Sequence, residues 1–228
     1  MCGRFTLTRA DRAELERELG VPRGSLPGEY HPRYNIAPTD WHFIVRQRFE
    51  DREIARAKWG LVNHWTQPGK RVTGPINARA EGVDRRPAFR EAFLKRRCVV
   101  PADGFFEWAG PDGQRRPLWF HRPDGGLLLL AGLYESWFPA PDRRERTFTI
   151  LTTRANEMMR PIHDRMPVVL SDEQADAWMN PKDPNPVDLK KLLGPPPDEW
   201  LVYRPVSPLL NSPRNDYAEL LQPYEFIE

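Results

Sequence analysis

RCVVPADGFFEWAGPDGQRRPLWFHRPDGGLLLLAGLYES, residues 97–136, carries the strongest secondary-structure signal in the chain. A short apolar run at 97–100 is followed by three runs rich in apolar and aromatic residues, at 104–109, 117–122 and 127–136. Turns rich in Gly, Pro and Asp separate these three runs, which is typical of strands joined by hairpins. The segment therefore predicts a buried strand and then an antiparallel meander.

Segments on both sides extend this pattern. Alternation and β-branched residues predict further strands, at 3–7, 41–47, 52–59, 75–80, 147–153, 166–170 and 200–206. Helices are predicted from Thr8 as a cap to Glu18, at 88–96, at 155–160, from a Ser171–Gln174 capping box to Met179, and at 186–193. We expect one domain over residues 1–228 with an α+β fold. Mostly antiparallel sheets would form a curved or barrel-like core with peripheral helices.

Composition excludes several classes of protein. Hydrophobic residues make up 39% and charged residues 29%, which is typical of a globular protein. The net charge of +2 gives no global basic field for nucleic acid. Two cysteines do not make a disulfide framework or a zinc site, and Cys98 in its apolar run is expected in the core. We expect no cofactor and no metal. No signal peptide or apolar run of membrane-spanning length is present, so a cytoplasmic protein without membrane contact is expected.

The first residues, Met1-Cys2-Gly3-Arg4, offer unusual chemistry. Without Met1, Cys2 carries an α-amine and a thiol on adjacent carbons, which titrate near ~8 and ~8.5 in model peptides. An amine condenses with an aldehyde to a Schiff base, and the neighbouring thiol can then close a five-membered thiazolidine ring. An internal cysteine lacks the amine. The terminus is therefore a candidate nucleophile for aldehydes, the alternative being that cysteine stands there by chance.

Two predicted strands carry polar side chains that suit a site. Asn77, Arg79 and Glu81 alternate along 76–81, so they are expected on one face of an extended strand. The alternative is an edge strand with a solvated face. Glu107 lies between Phe106 and Trp108 and either points outward or sits in apolar surroundings, where a carboxyl group can hold a proton near neutrality.

Three further segments contain candidate residues. His163-Asp164-Arg165 stands between Pro161 and Pro167, and a stiff loop of this kind places polar groups accurately. The segment 33–38, with Asn35, is by local sequence most simply a surface loop. Trp65 precedes Lys70 and Arg71, and an exposed tryptophan beside cations is suited to stacking a nucleic-acid base. Trp59, by contrast, is expected in the core.

Together these segments resemble the SRAP family, named for SOS response-associated peptidase. The motifs occur in order, as MCGRF at 1–5, RYNIAP at 33–38, WGL at 59–61, INARAE at 76–81, PAFR at 87–90, RRCVVPADGFFEW at 96–108 and IHDRMPVVL at 162–170. The resemblance implies a protein that shields abasic sites in single-stranded DNA. It also implies a monomer that acts in the cytoplasm at the nucleoid, and it leaves contacts with replication-fork proteins open.

The resemblance implies four catalytic residues. Cys2, after loss of Met1, attacks the aldehyde of the ring-opened sugar and gives a stable thiazolidine. Glu107 helps to open the sugar ring and shuttles protons. His163 helps to deprotonate the amine and supports reversal, while Asn77 holds the sugar or the region around Cys2. The peptidase activity in the family name is expected as self-processing that releases Met1.

The resemblance also implies contacts to DNA. Phosphates flanking the abasic site are expected to meet Arg4, Arg79 and Arg165. Asn35 fits a role beside the site, and Trp65 fits a wedge that stacks on a base at the kink of the strand. Arg86, with Arg85 as the alternative, is the candidate for a DNA-contacting arginine before the helix.

Other activities compete with this interpretation. Glutamine amidotransferases also use an N-terminal cysteine, but they need a different fold and leave Glu107 and the 163–165 triplet unexplained. Release of ammonia from glutamine would favour that class. A non-covalent single-strand binder would retain abasic DNA equally well without Cys2, and a protease would turn over a peptide in trans.

Overall fold

The computed structural model describes residues 2–68, 72–111, 113–182 and 185–226. The strands are β1 (Phe5–Leu7), β2 (Arg33–Ile36), β3 (Trp41–Arg48), β4 (Asp51–Trp59), β5 (Asn77–Arg79), β6 (Arg97–Ala102), β7 (Gly104–Ala109), β8 (Arg116–His121), β9 (Leu128–Ala140), β10 (Arg143–Arg154), β11 (Arg165–Pro167), β12 (Val169–Leu170) and β13 (Val202–Pro205). The α-helices are α1 (Arg12–Glu18), α2 (Arg90–Lys95), α3 (Asp172–Met179) and α4 (Pro186–Lys191). The α+β prediction, with a barrel-like core and peripheral helices, is confirmed.

Five strands close a barrel in the order β10-β4-β3-β6-β9, because β9 pairs with β10 as well as with β6. Its pairs are antiparallel except β10 with β4. Closure removes the exposed strand edges of an open sheet. Side chains that point inward, such as Ile44, Val100, Leu130 and Phe148, are fully buried. The predicted pair at 41–47 and 52–59 is the β3–β4 hairpin.

A second sheet has the order β13-β8-β7-β1-β2 and contains the β7–β8 hairpin of the predicted meander. Strand β1 lies between β7 and β2, and Phe5 pairs with Phe105 on one side and Ile36 on the other. The ring of Phe5 packs edge-on against Trp59 at a centroid distance of 5.0 Å, which joins this sheet to the barrel. Trp59 and Cys98 are fully buried, as predicted. The start of the chain is thus anchored between two structural layers.

The end of β10 gathers two other segments. Strand β5 runs parallel to it, with Asn77 opposite Ile150, and β11 runs antiparallel on the other side, with Arg165 opposite Arg154. The loop containing His163 leads directly into β11. The topology therefore brings two of the polar motifs to the two sides of one strand end.

Several local predictions need correction. Helix α1 begins at Arg12 with Asp11 as its cap, because Thr8 instead donates to the Asp103 carboxylate from both its amide and its hydroxyl. Residues 155–160 form turns and no helix. The Asn156 side chain accepts from the amide of Met159 at 3.1 Å, as a helix cap does, but Pro161 has no amide proton with which to continue a helix.

Two other segments differ in detail, while one helix start is confirmed. The predicted strand 166–170 divides at Val168, whose amide donates to Leu151 in β10 and whose carbonyl accepts from Ala131 in β9. Strand β5 ends at Arg79, and Ala80–Gly82 form a 3-10 turn, so Glu81 does not share the strand face of Asn77 and Arg79. The Ser171–Gln174 capping box is present. Among the described residues, no helix has the length and apolar character needed to cross a membrane.

Candidate active site around Cys2

Cys2 lies fully buried where the start of the chain meets β5. Its carbonyl oxygen accepts a hydrogen bond from the Asn77 side-chain amide at 2.8 Å. Its Sγ lies 3.8 Å from the carbonyl oxygen of Arg4, a weak contact that orients the thiol. The predicted loss of Met1 concerns a residue outside the described ranges. The structure thus brings Cys2 and Asn77 together, although they are far apart in sequence.

Glu107 is the charged group that acts on the Cys2 thiol. It is only 4% exposed and lies on β7, which pairs with β1. Burial chiefly, and then the negative charge of Glu107, raise the pKa of Cys2 far above that of a free thiol. The thiol therefore keeps its proton at neutral pH, and any reaction through sulfur needs that proton to leave. Of the two interpretations of Glu107, outward or enclosed, the enclosed one is confirmed.

His163 sits at the end of the loop that leads into β11. Its Nδ1 accepts from the backbone amide of Arg165 at 2.9 Å, and the same nitrogen lies 2.9 Å from the Asp164 carboxylate. One ring nitrogen cannot accept the first bond and donate the second at once. A neutral imidazole with its proton on Nε2 makes the bond to Arg165, whereas a proton on Nδ1 favours Asp164. Either tautomer of the ring therefore has a hydrogen-bond partner within the loop.

Arg165 points into the protein. Its guanidinium pairs with both carboxylate oxygens of Glu81, at 2.5 and 2.9 Å, and donates to the carbonyl of Thr152 at 2.5 Å. The hydrogen bonds from Arg165 hold the pKa of the Glu81 carboxyl below its usual value. Arg79, by contrast, is exposed at the end of β5, two residues from Asn77 and on the same strand face. Arg79 is therefore the cation that solvent reaches beside the residue anchoring Cys2.

Arg4 and Asn35 form one network with the C-terminal segment, residues 207–216. Arg4 Nη1 donates to the Asn35 side-chain oxygen and to the Leu210 carbonyl, both at 2.9 Å. The Asn35 amide donates to the carbonyls of Leu210, Ser212 and Asn215. Asn35 is fully buried in β2, so the expectation of a surface loop is wrong. The network fixes the backbone two residues after Cys2.

Asp216 is a member of this network that sequence reasoning missed. Its carboxylate accepts from the backbone amides of Tyr34 and Asn35, at 2.5 and 3.0 Å, and from the side chain of Arg33. Because residues 207–216 have no helical or strand periodicity, no pattern marks them as part of a site. The Asn-Asp pair at 215–216 was the available signal, since these residues commonly bind backbone amides in turns.

Trp65 and Arg86 occupy a neighbouring surface. The Trp65 side chain is 52% exposed and packs edge-on against His64 at a centroid distance of 4.7 Å. Together with Pro87, Arg90 and Glu91 it lines a cavity of about 390 Å³. Arg86, next to Pro87, is exposed. Lys70 and Arg71 lie outside the described residues. The structure thus joins Trp65 to the start of α2.

In the described parts of the chain, no group of three or more His, Cys, Asp and Glu side chains could hold a metal ion. Of the four predicted catalytic residues, Cys2, Asn77 and Glu107 are brought into one neighbourhood. His163 lies across β10 from the strand that contains Asn77.

Known proteins are similar to this chain along most of its length. The model of the SOS response associated peptidase (SRAP) family matches residues 1–213. The abasic site processing protein YoqW of Bacillus subtilis is 38% identical over 224 residues, which cover 97% of this chain and 99% of that protein. The abasic site processing protein HMCES of Rattus norvegicus is 30% identical over 275 residues, which cover 100% of this chain and 77% of that protein.

Solved structures share the fold. A protein from Bacteroides thetaiotaomicron superimposes with a TM-score of 0.84 at 23% identity, and the match covers 98% of this chain and 100% of that one. A phage-related protein from Bordetella bronchiseptica gives a TM-score of 0.70 at 29% identity, over 90% of this chain and 94% of that one. The arrangement of a barrel and a second sheet is therefore common to several bacterial proteins.

Proposed function

Since this chain belongs to the SOS response-associated peptidase (SRAP) family, we propose that it processes abasic sites in single-stranded DNA through a covalent bond to Cys2. The observation that carries the proposal is the position of Cys2. Its backbone is held by Asn77, and its thiol lies within the electrostatic influence of the buried Glu107. A buried thiol that keeps its proton suits a reaction in which the amine attacks first.

The reaction balances without a cofactor. With Met1 removed, the Cys2 nitrogen adds to the aldehyde carbon of the open sugar, and loss of one water gives a Schiff base. The sulfur then adds to the same carbon, the C=N double bond becomes single, and the thiol proton ends on nitrogen. One thiazolidine and one water result. Because both nucleophiles belong to one residue, the second step gains from proximity.

Glu107, His163 and Asn77 supply the proton transfers and the positioning. We assign to Glu107 the opening of the sugar ring, since a carboxylate enclosed beside Cys2 can take the proton of the anomeric hydroxyl and pass it to the ring oxygen. His163 takes a proton from the amine, for which its two alternative hydrogen bonds at Nδ1 prepare it. The Oδ1 atom of Asn77 is buried with no partner in the described part of the chain, so it can accept from the amine or from a sugar hydroxyl.

The accessibility of each candidate side chain decides how it is proposed to contact DNA. Arg79, Arg86 and Trp65 are accessible and are proposed to contact the strand directly. Arg4, Asn35 and Arg165 already have protein partners, so a phosphate would join these contacts or replace one of them. Self-processing at Met1 would free the amine before DNA arrives.

The test is adduct formation on an abasic oligonucleotide, followed by denaturation and electrophoresis. Wild type should give a heat-stable shifted band, and Cys2→Ala should give none while it keeps weak binding. Cys2→Ser is the matched control, because it keeps the amine and replaces the thiol by a hydroxyl of similar size. Its Schiff base should survive only after chemical reduction. A heat-stable adduct in unreduced Cys2→Ala would refute the assignment, and retention without any adduct in wild type would favour a non-covalent binder.

A further inference from the structure

A second cavity lies at the far end of β1 from Cys2. Its volume is about 290 Å³, at the lower end of the range for ligand pockets. Aromatic and charged side chains line it, namely Tyr30, Trp41 and Phe43 with Glu29, Arg33, Asp40 and Arg56. A cavity of this size and lining suits one planar aromatic group.

Trp41 and Arg56 form the most specific part of this cavity. Trp41 and Phe43 lie on the outer face of β3, each partly buried, while His42 between them points into the barrel. The Arg56 guanidinium lies over the Trp41 ring, 4.5 Å from its centroid. In the described part of the chain the Arg56 side chain has no hydrogen bond and no ion pair. Its charge is therefore available to a ligand, unlike that of Arg33, which pairs with Asp40.

The backbone at this cavity is strained. Thr39 adopts φ +74°, a conformation that is rare for a β-branched residue. Two hydrogen bonds hold this backbone in place. The amide of Thr39 donates to the carbonyl of Trp59, and the amide of Trp59 donates to the carbonyl of Asp40. Thr39 is the third residue of a turn with Pro38 as its second residue, closed by a hydrogen bond from the amide of Asp40 to the carbonyl of Ala37. Here the strained residue sets the positions of Asp40 and Trp41.

The cavity lies close to Cys2 along the chain. Leu7 lines the cavity and pairs with Arg33, and Cys2 stands five residues earlier on the same chain segment. Five residues span at most about 18 Å. Between the two lies the contact of Arg4 with Asn35, on the terminal strand β2 of the second sheet. A single strand held at Cys2 would therefore pass within about 18 Å of Leu7 at the cavity.

We propose that this cavity is a base-binding subsite for the same single strand that reacts at Cys2, and the inference rests on the proposed function. One base, a few nucleotides from the abasic sugar, stacks on the face of Trp41 opposite Arg56. Arg56 then lies near the adjoining phosphate. Stacking on an aromatic ring tolerates any base, and the carboxylate and guanidinium groups at the cavity can meet the base edge.

The experiment is a base-deletion scan by equilibrium binding. The oligonucleotides have an unreactive tetrahydrofuran spacer at the reacting position and a second spacer moved through the flanking positions one at a time. With wild type, one flanking position should weaken binding by about 5- to 150-fold, the range expected for a single stacked base. Trp41→Ala should bind the strand with all bases present as weakly as wild type binds the strand that lacks the critical base. Removal of that base should then weaken binding to Trp41→Ala no further.

The controls separate stacking from folding. Trp41→Phe should restore most of the affinity, and Phe138→Ala, which removes another exposed aromatic side chain, should behave like wild type. Arg56→Ala changes an exposed residue and should lower the salt dependence of binding, whether or not Trp41→Ala folds. The inference is overturned if no flanking position depends on Trp41 and Arg56→Ala matches wild type. Failure of the proposed function would show separately, as no adduct of wild type with a reactive abasic strand.

Discussion

The side-chain amide of Asn77 donates a hydrogen bond to the main-chain carbonyl of Cys2, with 2.8 Å between nitrogen and oxygen. This single contact links β5, at the end of β10, to the first residues of the chain. A chain terminus is ordinarily poorly ordered unless something ties it down. If Cys2 is the nucleophile as proposed, loss of this contact should appear in the rate of reaction more than in stability.

Asn77→Ala should slow adduct formation by roughly fivefold, because the loss of one hydrogen bond worth about 1 kcal/mol leaves Cys2 less well placed. Asn77→Asp should be slower still, since it puts a carboxylate against the carbonyl oxygen of Cys2. The measurement is the rate of heat-stable adduct formation at saturating DNA. Ser171→Ala is the control, because loss of that helix cap should cost about 1 kcal/mol of stability and leave the rate unchanged. Equal rates in wild type and Asn77→Ala would contradict the positioning role.

Arg79→Ala should reduce the salt dependence of single-strand binding. Each phosphate contact contributes about 0.7 to the slope of log affinity against log salt on single strands, so one contact removed should lower the slope by roughly that amount. The measurement is fluorescence anisotropy over a series of salt concentrations. Arg17→Ala on α1 is a matched control, because its side chain is also exposed and lies outside the candidate site. An unchanged slope in Arg79→Ala would remove Arg79 from the DNA interface.

Local sequence predicted the positions of the strands better than it predicted what surrounds them. The alternation of Phe106, Glu107 and Trp108 correctly places Glu107 on the face opposite its neighbours, yet it left open whether that face is solvated. Both faces of β7 are covered. Phe106 packs under the C-terminal segment with Val206 and Leu210, so Glu107 faces the side of Cys2. Because the covering segment follows about a hundred residues later, no local pattern could show this.

Ion pairs between residues far apart in the sequence could not be predicted either. Arg165 and Glu81 were each singled out in the sequence, but nothing there indicated that they bind one another across 84 residues. The contact between Asn35 and Asp216 was not predictable either, because Asp216 lies in a C-terminal segment without periodicity and was not singled out in the sequence. By contrast, the Ser171–Gln174 capping box was predictable because all of its atoms lie within one turn. Elements with local causes could be predicted, and the networks that place the site could not.

Asp216→Asn should destabilise the protein and slow adduct formation together. The carboxylate accepts from two backbone amides of β2 and from Arg33. In the asparagine variant the side-chain NH2 group would face one or more of these N–H donors. We expect a loss of about 1–3 kcal/mol in the free energy of unfolding, measured by urea denaturation. Asp188→Asn is the control. It pairs with Lys191 on the surface of α4 and should change stability by less than about 0.5 kcal/mol. Similar effects of the two variants would mean that the C-terminal segment does not depend on Asp216.

Stability should fall steeply in alkaline solution because both thiols are buried. Desolvation raises the pKa of Cys98 as well as that of Cys2, so in the folded protein both keep their protons where the unfolded chain loses them, above about pH 8.5. The unfolded state then binds fewer protons than the folded state. The free energy of unfolding must therefore decrease as pH rises, by about 1–2 kcal/mol per thiol between about pH 8 and about pH 10. Below about pH 8 this contribution is fully present.

The variant Cys98→Ala removes the contribution of one of the two thiols to the pH dependence of stability. The variant should be less stable than wild type at neutral pH, because it leaves a small cavity beside Gly132, but its stability should decline less steeply above about pH 8.5. Urea denaturation across the alkaline range measures the two slopes. Tyr30, whose pKa is also raised by burial, contributes equally to both proteins above about pH 10 and cancels in the comparison. Parallel curves for wild type and Cys98→Ala would show that the Cys98 thiol titrates in the folded protein as it does in the unfolded chain.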